Sequence, residues 1–380
     1  MNEITGAKPY FGGDEKIEGI VNDIKKILKS GELSLGEYTR AFEKEMTGLT
    51  GSQYATSVSS GGAALELTLK SLELNGGEVI VPTDTFVATA NAVILAGGVP
   101  VFADIDKDTL CLDLEDLSHR ISSNTIGVIY VHMFGLVSKS FIELREFCRQ
   151  KSLFLIEDAA HAHGSKIGEE FAGNLADAGC FSFYATKILT SGEGGIITTN
   201  SETVENKIKS LRNHGRKKDS DLYDKVSNNY RMPEMSCLVA LHQLRILEEI
   251  MILRKQIAFQ YCNNLDEVDG LILLKEFINN KDCSYWRFPI YIDKNIDRIE
   301  LQSLMMNNHK VRITWMYEPL CHNQPVFADY VKEGYQLLVA EESMSKLICL
   351  PCYPGLNNED IKRICSGLKT EIHKLKGKIY

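Results

Sequence analysis

Lys187 lies in a stretch whose neighbours suit a reactive amine. It follows the segment SFYAT and precedes the glycine-rich segment TSGEGG, with an apolar run on either side. A lysine held beside such a turn is kept near backbone and away from bulk water. It therefore loses its proton more easily and can act as a nucleophile. The competing interpretation is an exposed lysine in a hairpin turn, and Lys187 alone does not decide between the two.

A carboxylate ends another apolar run. Asp158 follows Glu157 at the end of the run that begins at Leu153. Open α/β proteins bind ligands beyond the carboxyl ends of their strands, so an acid at this point is a candidate ligand contact. Its simpler role would be to cap a turn or the start of a helix.

Small residues occupy the junction between a predicted strand and a predicted helix. The segment SSGGAAL contains Ser60, Gly61 and Gly62. Small side chains leave backbone N–H groups free to face an anion, and the N-terminus of a helix favours negative charge. The segment is not a P-loop, because no Gly-Lys-Ser or Gly-Lys-Thr follows it. A plain strand-to-helix turn is the alternative.

The order of the three sites is more informative than any one of them. An anion-binding turn, a strand-end acid and a lysine beside a glycine turn are the groups that pyridoxal 5'-phosphate (PLP) requires. They provide a cradle for its phosphate, a carboxylate for its ring nitrogen and an amine for a Schiff base. The sequence therefore predicts a PLP site in which Lys187 carries the cofactor.

Buried strands and helices must position these groups. The candidate strands are Tyr54–Val58, Glu78–Val81, Val101–Ala103, Thr125–Val131, Leu153–Ile156, Gly179–Phe183 and Gly195–Thr199. They lack strict polar alternation, which is typical of strands covered on both faces. The helical patterns between them are Ala63–Leu74, Phe86–Leu95, Ser140–Lys151 and Glu202–Leu211. This alternation predicts an α/β fold with a mostly parallel sheet flanked by helices.

The pattern changes after about residue 230. A single helical stretch covers Glu234–Leu265, strands are predicted at Tyr285–Ile292 and Val311–Trp315, and a last helix covers Asp360–Lys374. We expect a large α/β domain over residues 1–240, including an N-terminal helical segment, and a smaller C-terminal α+β domain over residues 241–380.

Composition excludes several classes of function. The net charge is -9 and there are no basic blocks, which argues against a nucleic-acid-binding protein. The most apolar region, residues 86–103, is interrupted by polar residues and glycines, so no membrane span is expected. The ten cysteines are scattered and no secretory signal is recognised, which favours the cytoplasm. The histidines share no metal-ligand spacing, so no metal site is expected.

The chain resembles the sugar aminotransferases of the DegT family, within the fold-type I (aspartate aminotransferase-like) PLP enzymes. The resemblance extends over nearly the whole chain. Its main segments are SVSSGGAALEL, VIVPTDTFVATANAVILAGGVPVFADID, LIEDAAHAHGS, FSFYATKILTSGEGG, NNYRMPEMSC and LPCYPGL. The pair EDAAHAHG and SFYATK…GEGG is the most specific part of the match.

The resemblance implies a role for each matched residue. Lys187 would form the Schiff base and act as general base, Asp158 would pair with the pyridine nitrogen, and Phe86 would stack on the cofactor ring. The phosphate-binding positions would be Ser60, Gly61, Gly62 and Ser182. Asn229 would reach the phosphate of the neighbouring subunit, which implies a homodimer with shared active sites. Arg212 is a further candidate contact on the substrate side.

Two positions depart from the family pattern. Gly62 stands where threonine is usual, so one hydroxyl contact to the phosphate is missing, a bond worth about 1.5–3 kcal/mol. His161 stands where glutamine is commoner beside the phenolic oxygen of the cofactor. An imidazole can also donate a hydrogen bond there, but unlike an amide it can change its charge near neutral pH.

The implied reaction moves an amino group from L-glutamate to a keto sugar, usually nucleotide-linked, in polysaccharide, glycan or antibiotic biosynthesis. One alternative is a PLP-dependent sugar dehydratase of the same fold. Such enzymes usually carry histidine in place of the lysine or add an iron–sulfur cluster. Another alternative is a homologue that has lost catalytic activity and has a regulatory or binding role. Inactive homologues tend to lack the lysine or the acid, whereas this chain keeps Lys187 and Asp158.

Overall fold

The structure is a computed structural model that describes residues 2–377. Its strands are β1 (Tyr54–Val58), β2 (Glu78–Pro82), β3 (Val99–Ala103), β4 (Thr125–Val131), β5 (Phe154–Asp158), β6 (Lys166–Ile167), β7 (Glu170–Phe171), β8 (Ala178–Ser182), β9 (Gly195–Thr199), β10 (Leu271–Leu273), β11 (Phe288–Ile292) and β12 (Leu347–Leu350). Its helices are α1 (Asp14–Ser30), α2 (Glu37–Thr50), α3 (Gly61–Leu72), α4 (Val87–Leu95), α5 (Leu114–Arg120), α6 (Ser140–Lys151), α7 (Glu202–Arg212), α8 (Glu234–Leu244), α9 (Leu247–Leu265), α10 (Lys275–Ile278), α11 (Arg298–His309), α12 (Leu338–Lys346) and α13 (Asn358–Gly377).

Seven strands form one large sheet in the order β1-β9-β8-β5-β4-β2-β3. Neighbours from β8 to β3 run parallel, and β9 is antiparallel to both β1 and β8. The strands are largely buried, and helices such as α3 and α6 pack against them. The predicted α/β fold with a mostly parallel sheet is therefore confirmed.

The topology places several loops at one edge of this sheet. Because β9 is antiparallel to both of its neighbours, β1 and β8 point the same way, which is also the direction of β2 and β5. The segments that leave the carboxyl ends of these four strands therefore lie along the same edge. That edge is where open α/β sheets bind ligands.

The second half of the chain contains elements that the sequence did not predict, namely β10, α10, α11, α12 and β12, and two of the predictions made for it are wrong. The single helical stretch Glu234–Leu265 is two helices, α8 and α9, separated at Arg245–Ile246. The break lets α8 pack on α1 and α2 while α9 packs on α13 and β10. The segment Val311–Trp315 is not a strand, because it forms only isolated bridges, one to the N-terminal segment and one to β12.

The strands β10, β11 and β12 form a separate antiparallel sheet. Buried side chains of both sheets nevertheless belong to one continuous apolar cluster. The division of the chain at residue 240 stays a prediction. Within residues 2–377, no helix is long and apolar enough to cross a membrane.

Candidate active site

A cavity of about 590 Å³ lies at the carboxyl edge of the large sheet. Of the nine residues that the sequence singled out, those that line it are Ser60, Gly61, Gly62, Phe86, Asp158, His161, Ser182 and Lys187. The ninth, Asn229, is exposed outside the cavity, and its Oδ1 accepts a hydrogen bond of 3.1 Å from the backbone N–H of Arg231. Its role toward a neighbouring subunit stays a prediction.

Asp158 is the last residue of β5 and is only 6% exposed. One carboxylate oxygen accepts a hydrogen bond of 2.9 Å from the Thr89 hydroxyl, and the other accepts one of 3.2 Å from the Ala160 N–H. Burial raises the pKa of Asp158, while the Thr89 hydrogen bond and the charge of Lys187 oppose that shift. Thr89, from α4, thus fixes the carboxylate at the cavity wall.

Lys187 belongs to the turn between β8 and β9, where its backbone N–H donates to the Tyr184 carbonyl at 2.9 Å. Its Nζ lies 4.5 Å from the centroid of the Trp286 ring. Burial lowers the pKa of Lys187 to about 7, Asp158 opposes this, and the positive charge of Arg287 adds to it. A substantial fraction of the amine is therefore unprotonated near neutral pH, as a nucleophile requires.

The predicted phosphate turn joins β1 to α3. Ser60 caps the helix, because its hydroxyl accepts a hydrogen bond from the Ala63 N–H at 3.1 Å. Ser182, at the end of β8, lies against Gly61 so closely that a Cβ on Gly61 would meet the Ser182 Cβ at 2.7 Å. The turn therefore brings a helix N-terminus and two hydroxyl groups to one end of the cavity, which suits an anion.

Aromatic side chains form another part of the cavity lining. The His161 ring stacks on Trp286 with centroids 3.8 Å apart, and the Trp286 indole N–H donates to the Thr186 carbonyl at 2.8 Å. The Tyr317 hydroxyl lies 3.0 Å from His161 Nε2. Burial, reinforced by the charges of Lys187 and Arg287, keeps the pKa of His161 well below its usual range. The imidazole is therefore neutral at physiological pH, and the expected change of charge near neutral pH is wrong.

The sequence prediction missed Trp286, Arg287 and Tyr317 as cavity residues. All three come from the second half of the chain, more than 95 positions after Lys187. One local signal existed, since an arginine in the apolar run SYWRFPIYI is unusual in a buried strand. Only the fold shows that this run approaches the lysine.

Two other polar residues of the motif segments, Glu157 and Arg212, lie outside the cavity. Glu157, fully buried, accepts hydrogen bonds from the His132 Nε2 at 2.8 Å and from backbone N–H groups of residues 173, 175 and 176. These hydrogen bonds attach the loop of residues 173–176 to β5 next to Asp158. Arg212 was expected near the substrate, but it pairs with Glu43 at 2.6 Å outside the cavity.

The cavity residues fit PLP in their chemistry. The close approach at Gly61 leaves no room for a side chain where the phosphate cradle is predicted. Phe86 is 60% exposed although it lines the cavity, so an apolar ring face is open to a planar ligand. A lysine and a buried carboxylate are present in the same cavity, as the Schiff base and the ring nitrogen require.

The comparisons with known proteins agree with this chemistry. The model of the DegT/DnrJ/EryC1/StrS aminotransferase family matches residues 14–369. GDP-perosamine synthase of Vibrio cholerae is 32% identical over 368 residues, which cover 95% of this chain and 97% of that protein.

Solved structures show the same fold. NtdA of Bacillus subtilis, determined with the bound cofactor PMP, has a TM-score of 0.88 at 27% identity, over 98% of this chain and 86% of NtdA. DesI, determined in the presence of its TDP-sugar product, has a TM-score of 0.89 at 26% identity, over 99% of this chain and 95% of DesI. The chain therefore belongs to the DegT/DnrJ/EryC1/StrS aminotransferase family, whose members are PLP-dependent transaminases.

Proposed function

We propose that the protein transfers an amino group from L-glutamate to a keto sugar that is linked to a nucleotide. The observation that carries the proposal is the joint presence of Lys187 and Asp158 in a cavity large enough for cofactor and sugar. Two similar proteins support the acceptor class, since the name of one contains a GDP-linked sugar and the other was determined with a TDP-sugar.

Each site residue receives a role under this proposal. Lys187 Nζ would hold PLP, Asp158 would face its ring nitrogen and keep it protonated, and Phe86 would cover one face of the ring. The residues proposed to hold its phosphate are Ser60, Gly61, Gly62 and Ser182. When bound, PLP supplies an electron sink for the carbon that carries the amino group. His161, neutral and fixed by Trp286 and Tyr317, would face the phenolic oxygen.

Lys187 is also the proposed general base. A base works best when its pKa is close to the working pH, and burial brings the pKa of Lys187 to about 7. Its Nζ could therefore accept a proton from the α-carbon of the donor and deliver it to the cofactor carbon that is bonded to the donor nitrogen, without leaving the cavity. The aromatic wall of Trp286 beside Nζ limits the access of water to this proton.

We further propose a homodimer that works in the cytoplasm. The predicted reach of Asn229 into a neighbouring subunit requires a second copy of the chain. All ten cysteines are free, and nine of them are buried, as expected of a protein kept in a reducing compartment.

The visible absorption spectrum tests the function directly. The PLP-loaded protein should show the band of lysine-bound cofactor, and L-glutamate should bleach it in the wild type. Lys187→Ala should never show that band. The bleached enzyme should recover the band when the correct nucleotide-linked keto sugar is added. A band that neither L-glutamate nor another amino acid bleaches would contradict the transaminase assignment and favour the dehydratase.

A further inference from the structure

Arg287 carries a buried charge that no described carboxylate, in residues 2–377, neutralises. Its side chain lines the cavity and is 5% exposed. In residues 2–377, it forms no ion pair, its Nε has no hydrogen-bond partner, and one terminal nitrogen donates only to the carbonyl of the preceding residue, Trp286, at 3.1 Å. Burial lowers its pKa, yet a guanidinium remains protonated at any physiological pH.

In the described part of the chain, the two other buried arginines, Arg212 and Arg254, also have an unpartnered Nε, but their terminal nitrogens are better satisfied. Arg212 pairs with a carboxylate, Glu43. Arg254 donates to two carbonyls, those of Tyr285 and Cys352. A buried charge without a partner is costly, and such groups are retained when a ligand completes them. Arg287 is therefore the group in this wall that most needs an anion.

The position of Arg287 limits which anion that is. Its Cζ and the Nζ of Lys187 each lie 4.5 Å from the Trp286 ring centroid, so they are no more than twice that distance apart. In an α-amino acid, the carboxylate carbon lies about 2.5 Å from the nitrogen. A guanidinium that binds a carboxylate through two hydrogen bonds adds about 4 Å to that span. The span from the donor nitrogen to Cζ is then about 6.5 Å, which lies within that limit, so the distances are compatible with an α-carboxylate at Arg287 when the donor nitrogen takes the place of Nζ.

We propose that Arg287 binds the α-carboxylate of the amino donor. The inference rests on the proposed function, because it requires an amino-acid donor at Lys187. The planar guanidinium suits a carboxylate held by two parallel hydrogen bonds. Trp286 keeps it in place, since the Arg287 Cζ stacks over the indole ring.

A phosphate is a less suitable ligand for this group. The phosphate cradle of the cofactor is already proposed at the turn of Ser60 and Gly61. In a nucleotide-linked sugar, the sugar ring separates the diphosphate from the keto carbon that must reach Lys187. The nucleotide would therefore lie away from Lys187, whereas Arg287 is buried and lies against the same Trp286 ring as Lys187.

Ligand titrations of the PLP-loaded enzyme test the assignment. The probes are L-glutamate and 4-aminobutyrate, which is glutamate without its α-carboxylate, each followed by absorbance, and GDP, UDP and dTDP, followed by calorimetry. Arg287→Met should weaken L-glutamate binding about 10- to 100-fold and leave 4-aminobutyrate unchanged. Arg287→Lys keeps the charge but not the paired donors, and should weaken L-glutamate binding about 10-fold. The affinities for PLP and for the nucleotides should not change.

Thermal unfolding provides a readout that does not depend on turnover. Arg287→Met removes an unpaired buried charge, so its unliganded melting temperature should equal or exceed that of the wild type. Glutarate, a dicarboxylate without an amino group, should raise the melting temperature of the wild type and not that of the variant. Arg149→Met is the matched control, because Arg149 is exposed and pairs with Glu146 on the surface. It should respond to glutarate like the wild type.

Several results would overturn the inference. These are unchanged L-glutamate affinity in both Arg287 variants, equal loss of L-glutamate and 4-aminobutyrate binding, or loss of PLP or nucleotide binding instead. If Arg287→Met does not fold, the same comparison in Arg287→Lys decides. Failure of the proposed function looks different: glutarate would stabilise the protein through Arg287, yet no keto sugar would accept an amino group.

Discussion

Gly61 and Gly62 are adjacent in the predicted phosphate turn but have different surroundings. A Cβ on Gly61 would lie 2.7 Å from the Ser182 Cβ and 3.2 Å from its Cα. A Cβ on Gly62 would meet only the Ala88 Cβ at 3.6 Å and the Ser60 hydroxyl oxygen at 3.9 Å. The close contact of the two strand ends therefore requires glycine at 61, whereas position 62 has room for a side chain.

This difference predicts the effect of matched substitutions on PLP affinity. Gly61→Ala should weaken PLP binding about 10-fold or more, because backbone must move in the cradle. Gly62→Ala should stay within about 2-fold of the wild type, and Gly62→Thr should strengthen binding about 10-fold by adding a hydroxyl contact to the phosphate. Titration of the cofactor-free protein with PLP measures all three. Unchanged PLP affinity in Gly61→Ala would contradict the placement of the phosphate at this turn, and equal losses in both alanine variants would contradict the steric difference between the two positions.

The sequence predicted the parts of the site that are contiguous in the chain. Lys187, Asp158 and Ser60 each follow a strand in a short segment with recognisable chemistry. Trp286 and Tyr317 carry no such local signal, and the signal at Arg287, a charge within an apolar run, does not show where the second half of the chain packs. The charge of His161 could not be predicted from the sequence either, since it depends on burial and on the neighbouring charges of Lys187 and Arg287.

At the scale of elements, α2 is held by a residue from a distant helix. Its N-cap residue is Gly36, which has no side chain to cap the helix. The Glu234 carboxylate, 1% exposed at the start of α8, instead accepts hydrogen bonds from the N–H groups of Gly36, Tyr38 and Thr39 at 2.8–2.9 Å. The negative charge also complements the helix dipole. One side chain thus fixes α2 on α8.

Glu234→Gln should therefore destabilise the protein by about 1–3 kcal/mol, because buried N–H groups lose a charged acceptor. Urea unfolding of the cofactor-free protein measures this loss. Glu248→Gln is the control, since Glu248 is an exposed residue in the first turn of α9 and should change stability by less than about 0.5 kcal/mol. Equal stability of the two variants would mean that the cap contributes nothing beyond its neutral hydrogen bonds.

Strands were predicted more accurately than the helices of the second half. Three strands of the large sheet, β1, β4 and β9, have the predicted bounds, because a buried strand is marked by its own apolar run. The break between α8 and α9 has no comparable signal. Apolar residues at helical spacing continue across it, and only the need to pack on two different surfaces separates the helices.

On the scale of the whole molecule, the cavity depends on both halves of the chain. The large sheet supplies Lys187 and Asp158, while the approach to β11 supplies Trp286 and Arg287. One apolar cluster continues through both sheets, so the halves are packed as a unit. The proposed dimer would add a site residue from the partner chain. Asn229 is exposed outside the cavity of its own chain, so it is free to contact a neighbouring subunit.

If Asn229 serves the partner's site, two inactive variants should complement each other. Asn229→Asp keeps the oxygen that accepts from the Arg231 N–H but places a negative charge beside the phosphate of the partner's cofactor. Each variant homodimer, Asn229→Asp or Lys187→Ala, has two damaged sites. In a mixed dimer of a two-fold symmetric enzyme, both defects fall in one site and the other is intact.

Random exchange of equal amounts of the two variants makes about half of the dimers mixed, so about a quarter of all sites should be active. The measurement is L-glutamate-dependent amino transfer after the two proteins are unfolded and refolded together, with each refolded alone as the control. A mixture no more active than its components would place Asn229 in its own chain's site or in none. Recovery to about a quarter requires a shared site, since a defect confined to its own chain could not be corrected by a partner that lacks Lys187.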